Sequence, residues 1–209
     1  MFNLTLSTVL ARLIVLLIAF PVHEAAHAWA AFRLGDDTAK RLGRMTLNPL
    51  VHLDPVGSIM LLVAMIGWAK PVPVNPSRLQ YGPRVGNAMV AAAGPFSNLL
   101  MATLGAVLWR WANLETTPGP AQMLVFTFVE INILLFLFNM IPLAPLDGFS
   151  VLGGLVGERM AEAMQPLRIY GPFLLMGVIM IGYVAPAFDI LGRFIFPAMN
   201  GLMQFLLGY

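Results

Sequence analysis

The chain contains no cysteine, so neither a disulfide scaffold nor thiolate metal ligands are available. Any metal must be held by His, Asp or Glu. Charge is the second shortage. Only 11% of the 209 residues are Asp, Glu, Lys or Arg, against about a quarter in a soluble globule. Apolar residues fill the space: 59% of the chain is hydrophobic and the mean hydropathy is +0.81. This composition places the chain in a lipid bilayer. Its small cationic excess, 12 Lys and Arg against 10 Asp and Glu, speaks for topology and against nucleic acid, because the charges cluster in loops that flank apolar runs. Histidine is scarce as well, and two of the three are four residues apart. No repeat of useful length stands out. The length suits one membrane domain over residues 1–209 without an appended soluble module. No n-region, h-region and small-residue cleavage site precede the first apolar run, so that run is expected to be retained and not to be a signal peptide.

The fold class expected is all-α: a polytopic helical bundle of about five full spans plus one short or re-entrant segment. The first span runs roughly from Leu4 to Leu34 and ends in Gly35-Asp36-Asp37. Pro21 lies inside it, where a missing backbone N–H should loosen the turn. From Met45 to Pro83 prolines punctuate the chain, and the apolar run between them, Val56 to Ala69, falls short of the roughly 20 residues a span needs. Val72-Pro73-Val74 reads as extended and could offer a free strand edge. Full spans follow over Val85–Trp111 and Met123–Leu146, then a loop or surface helix over Gly148–Gln165, then spans over Pro166–Val184 and Phe188–Leu207. Nine of the twelve Lys and Arg fall on one side of this arrangement. By the positive-inside rule that side is cytoplasmic, with the N-terminus outside and the C-terminus inside a cell membrane.

Against that background one stretch carries chemistry. His23-Glu24-Ala25-Ala26-His27 reads H-E-x-x-H. Residues i and i+4 share one helix face, so the two imidazoles can meet a single ion. Glu24 sits about 100° round the helix from His23, within reach of a water beside the metal but not of the metal itself. Two histidines and a carboxylate base are what zinc hydrolysis requires. Three ionisable residues inside an apolar run are expensive, which makes a functional reading the default. The bland alternative is a pair of histidines hydrogen-bonded inside a bundle.

A catalytic zinc takes three protein ligands. Counting spans and charges puts Asp147, at the expected end of the span from Met123, at the depth of His23. Pro142 and Pro145 just before it break the helix, which a membrane tolerates only beside a cavity or inside protein. Alternatively Asp147 merely caps a span. Glu130, 17 residues earlier and about 25 Å away along a helix, is a rival carboxylate too far off to share a metal with Asp147; a pairing with Arg12 or a polar bundle contact is the other reading for it. His52 and Asp54, two apart, could form a His–carboxylate pair behind the ligands or near a substrate entrance, or belong to an ordinary Asp54-Pro55 turn. Asn98 could bind peptide or an oxyanion, or serve as a polar packing contact.

These pieces together resemble the site-2 proteases, zinc metalloproteases that cut within membranes, in their small prokaryotic branch. The matching stretches besides H-E-x-x-H are Gly43-Arg44-Met45-Thr46-Leu47-Asn48-Pro49, His52-Leu53-Asp54-Pro55-Val56-Gly57 and Gly67 to Pro76 with its Lys70-Pro71-Val72-Pro73-Val74-Asn75-Pro76. Ala93-Gly94-Pro95-Phe96-Ser97-Asn98 and Asn139 to Gly148 complete them, in family order over most of residues 20–150. The resemblance implies a catalytic core over about 4–150, with accessory spans over about 166–207. It implies one Zn²⁺ on His23, His27 and Asp147, Glu24 as catalytic base, and Asn139 as a binder of substrate backbone. Its implied partner is a membrane-spanning protein substrate. Two positions depart from the family pattern: Ala144 stands where a second proline is usual, and Phe149 where a small residue is common. Neither a PDZ nor a CBS domain is expected.

Three functions compete. The first is peptide-bond hydrolysis in or at the edge of the bilayer, with the substrate unwound and added as a strand along Val72, Pro73 and Val74. The second is a zinc carrier, which needs no base beside its metal but does need a polar path through the outer half. There the sequence offers only Arg12, Glu130, Asn132 and a few hydroxyls. The third is an inactive membrane scaffold, against which the intact Glu24 argues.

Overall fold

The computed structural model describes residues 9–10, 13–64 and 67–208. Among the described residues, five helices are long and apolar enough to cross a membrane. They are α1 (Val15–Arg33), α3 (Gly82–Trp111), α4 (Pro120–Asn139), α7 (Pro166–Val184) and α8 (Ile190–Leu207). The shorter helices between them include α2 (Pro55–Ala64), α5 (Asp147–Leu155) and α6 (Glu158–Ala163). The chain is an all-α polytopic membrane bundle. At about 1.5 Å per residue α2 is about 15 Å long, half the hydrocarbon thickness, and so is a short helix and not a span.

Local chemistry explains the irregularities. Pro21 cannot donate to the helix and its ring crowds the carbonyl four residues back. The chain accommodates this with a wider π-helical turn over Val15–Ala19 before regular α-helix resumes at Phe20. Each of three Asx–Pro pairs opens a helical turn. Asn48, Asp54 and Asn75 accept, through their side-chain oxygens, the N–H of Leu50, Gly57 and Ser77. The stretch before Asp147 departs from expectation. α4 stops at Asn139, and Met140–Leu146 is non-helical, because prolines at 142 and 145 cannot continue the ladder. Asp147 therefore begins α5 instead of ending the preceding span.

α3 is the central post and packs against α1, α4 and α5. Close approach is bought with missing side chains. A Cβ at Gly105 would meet Val129 and Phe128 of α4, and one at Gly154 would meet Ala88 of α3. One half of the bundle is filled by Ala102, Ala106, Trp109, Val129, Ile133 and Met203. At the other end of α3, Val90 packs with Ala31, Leu34 and Leu79. α7 is the least buried span. It meets the core where Gly171 lies against the Ala144 carbonyl, too close for any larger residue.

Among the described residues there is no β-strand. The Leu53–Ala69 pair is an isolated antiparallel bridge, and residues 71–75 form an irregular connection. The strand edge expected at Val72-Pro73-Val74 is not built as part of a sheet. Pro71 and Pro73 withhold two of the donors a ladder would need.

Candidate metal centre

α1 presents His23 and His27 on its buried face, one turn apart as the H-E-x-x-H spacing requires. Their Nε2 atoms lie 3.0 Å from each other. Asp147 Oδ2, brought in by the start of α5, lies 3.1 Å from His23 Nε2 and 3.4 Å from His27 Nε2. The three ligand atoms come within 4.8 Å of one another, and Glu130 is not part of this group. Arg12, the other half of the pairing considered for Glu130, lies outside the described residues.

The far side of each imidazole decides what the near side can be. His27 Nδ1 is 2.8 Å from the Val90 carbonyl, which can only accept, so the ring donates there. His23 Nδ1 is 2.6 Å from Asn98 Oδ1 and donates likewise. With both Nδ1 protons committed, each neutral ring turns a lone pair from Nε2 towards Asp147. Two lone pairs and a carboxylate oxygen facing one another repel unless a cation stands between them. Four ligands about 2.0–2.2 Å from a tetrahedral zinc are separated by about 3.3–3.6 Å, within a few tenths of an ångström of the three separations here. The donor set, two nitrogens and one oxygen without sulfur, also suits zinc. The residues fit the ion.

Gly94 of α3 completes the cavity. A Cβ built there would run into Nε2 and Cε1 of His27 and Nε2 of His23. Only hydrogen at this position leaves room beside the ligands. Gly148 does the same for Asp147, since a side chain there would meet the backbone of Met140 and Ile141.

Glu24 is half-buried next to this cluster, and its Oε2 accepts the Val72 N–H at 3.0 Å. The segment that makes this bond is tied down on both sides. Gly35 (φ +102°) closes α1 in a Schellman turn, with Gly35 N–H to Phe32 and Asp36 N–H to Ala31. That turn swings Asp36 inward, fully buried, where it accepts from the Thr38 N–H and hydroxyl and from Asn75 N–H at 2.6 Å. Burial pushes the Asp36 carboxyl up, but these hydrogen bonds and the Arg78 charge more than offset it and hold the group below the usual carboxylate range. Upstream, buried Arg44 donates to the carbonyls of Lys70 (2.5 Å) and Pro71 (3.3 Å), and Lys70 N–H bonds the His52 carbonyl.

The remaining candidates are placed as follows. Asn98 is fully buried behind His23, with its amide N–H₂ donating to Asn132 at 3.0 Å, so both ends of its side chain are engaged. Asn139 ends α4 half-buried and donates to the Leu135 carbonyl. Pro73 is partly buried, and Val74 packs against the cluster formed by Ala31, Leu34, Leu79 and Val90. His52 and Asp54 are not brought to the metal cluster. His52 is fully buried with Nε2 on the Thr46 carbonyl, while Asp54 caps α2 through Gly57. Sequence reasoning did not single out Gly94, Asp36 or Arg44 as parts of the site. Only the polarity of Asn132 inside an apolar span signalled it.

The curated proteins include clear relatives. "Putative zinc metalloprotease YwhC" of Bacillus subtilis is 42% identical over 177 residues, covering 81% of this chain and 80% of that protein. "Putative zinc metalloprotease Rip2" of Mycolicibacterium smegmatis is 28% identical over 172 residues, covering 79% of this chain and 64% of the relative. Rip2 of Mycobacterium tuberculosis H37Rv is 25% identical over 175 residues, with 77% and 62% covered. The chain thus spans a little under two thirds of the Rip2 proteins. No protein-family model and no solved structure matches it. The relative at 42% identity, five apolar spans and a His–His–Asp cluster behind an H-E-x-x-H helix agree: this chain belongs to the site-2 protease family of zinc metalloproteases.

Proposed function

We propose that this protein is an intramembrane zinc endopeptidase, binding one Zn²⁺ per chain and cutting membrane-spanning protein substrates. The observation that carries the reading is the convergence of His23, His27 and Asp147 inside a bundle of apolar spans, with Glu24 outside the ligand set and held by the Val72 N–H. A zinc ion in this cluster supplies a Lewis acid and a nucleophile at neutral pH. His23 and His27 offer their Nε2 lone pairs to it, and Asp147 adds one negative charge. Glu24 takes a proton from the attacking water and returns it to the leaving amine, general acid–base work worth about 10²–10⁴-fold in rate. The Val72 N–H orients that carboxylate.

A substrate helix must unwind to expose a peptide bond. The segment Val72-Pro73-Val74 runs beside Glu24 and is the natural guide for an unwound strand, with Asn139, at the end of α4, a second contact for its backbone. The cationic bias supports a cell-membrane orientation with the N-terminus outside and the site on the cytoplasmic side. A zinc carrier has less support. Among the described residues the core of the bundle beyond Asn98 and Asn132 is filled by apolar side chains.

The test is reconstitution of purified protein with single-span substrates, analysed by mass spectrometry. Glu24→Gln is expected to keep its zinc and lose cleavage by about 10²-fold or more, and a chelator to abolish wild-type cleavage. Cleavage by Glu24→Gln at the wild-type rate would overturn the reading.

A further inference from the structure

The buried amides behind His23 form a directed chain. It starts at a backbone group whose role is unambiguous: the Phe128 carbonyl of α4, an acceptor only. Asn132, fully buried one turn later, donates to it from Nδ2 at 2.8 Å. The Asn132 amide is thereby oriented, and its Oδ1 must face Asn98. Asn98 Nδ2 donates to that oxygen at 3.0 Å, which in turn directs Asn98 Oδ1 at His23. Oδ1 accepts the His23 Nδ1 proton at 2.6 Å, which leaves Nε2 as the lone pair that faces His27 and Asp147. Every step removes one of two choices, so the orientation set at Phe128 arrives at the metal cluster as a fixed tautomer. His27 needs no such chain, because the Val90 carbonyl fixes its ring directly.

We propose that Asn132, which touches no ligand atom, is a positioning residue for zinc, acting through Asn98 to hold His23 in its metal-binding tautomer. Groups that orient a ligating histidine are worth about 10–100-fold in metal affinity. An amide that merely glued α3 to α4 would change the stability of the bundle and leave zinc affinity alone. The inference rests on the reading of His23 as a zinc ligand.

The experiment is a zinc competition titration against a chromophoric chelator, with circular dichroism melts of the zinc-free proteins as the folding control. Asn132→Leu is expected to weaken zinc about 10-fold and Asn98→Leu about 10- to 100-fold. The double variant should bind no more weakly than Asn98→Leu alone, because Asn132 has no other route to the metal. Asn132→Asp is expected to stay within about threefold of wild type. Burial keeps that carboxyl protonated, and a neutral acid has the donor and acceptor that the relay needs. Should Asn132→Leu not fold, Asn132→Ala removes the same two hydrogen bonds without added bulk. Wild-type affinity in a folded Asn132→Leu or Asn132→Ala protein overturns the relay, as does a double variant whose loss is the product of the single losses. Wild-type protein that takes up no zinc overturns the metal reading, and the relay with it.

Discussion

Gly94 shows how much of this site depends on an absent atom. Alanine is favoured over glycine inside a helix by about 1 kcal/mol, so Gly94→Ala should strengthen α3 locally. The added methyl would nevertheless enter the space between the two Nε2 atoms. We therefore expect Gly94→Ala to yield a folded protein with little or no bound zinc, measured by elemental analysis of purified protein. Full zinc occupancy would show that the imidazoles can move aside. Asp147 should behave differently, since Asp147→Asn keeps the shape of the site and replaces the carboxylate with a poor ligand. Zinc affinity and cleavage are both expected to fall, whereas Glu130→Ala, which removes a carboxylate outside the cluster, should leave the metal content unchanged.

At the scale of elements, the connection between α2 and α3 is held in place by buried polar groups where a strand pairing would otherwise do it. Asp36 and Arg44 grip it near Asn75 and Lys70 and so place Val72 over Glu24. Hydrogen bonds to a charged group contribute about 1.5–3 kcal/mol each. Replacing Asp36 by Asn turns one acceptor into a donor facing an N–H. Asp36→Asn is expected to lower the melting temperature and to cut cleavage more than zinc content. The pH dependence has a definite sign. Asp36 is held below the usual carboxylate value, so its stabilisation is complete above about pH 4 and fades as the pH falls through the lowered folded-state value. Wild-type protein should therefore lose melting temperature below about pH 4, and Asp36→Asn should lose less over the same interval. Parallel curves would mean that the Asp36 carboxylate is not the group that titrates.

For the molecule as a whole, the expected orientation makes the two ends of α3 chemically different. Arg84, near its start, donates to the carbonyls at the end of α5, including that of Val156. Arg110, at its other end, donates to the carbonyls of Phe205 and Leu206, which close α8. Each arginine satisfies a helix C-terminus. The cationic excess lies on the Arg84 side, with the metal cluster in that half. Reporter fusions at Pro118 and at the C-terminus should read outside and inside respectively. The reverse pattern would place the site on the outer face.

Composition and pattern alone determined the membrane class, the five long apolar helices and the His23–Glu24–His27 face, because hydropathy, span length and i,i+4 spacing are properties of single segments. The third member of the cluster was legible too, as a carboxylate at matching depth. Its setting was not. Whether Asp147 ends one helix or begins the next depends on where the proline-broken stretch after Asn139 folds back. Asn98 read equally well as a substrate contact or a packing residue until α1, α3 and α4 were assembled around it. That the Val72 N–H meets Glu24 was not legible either, because Asp36 and Arg44 hold the segment from outside it. Gly94, Asp36 and Arg44 stayed silent for the same reason. What each does is set by the atoms that face it from another helix or loop, and such neighbours have no signature along the chain.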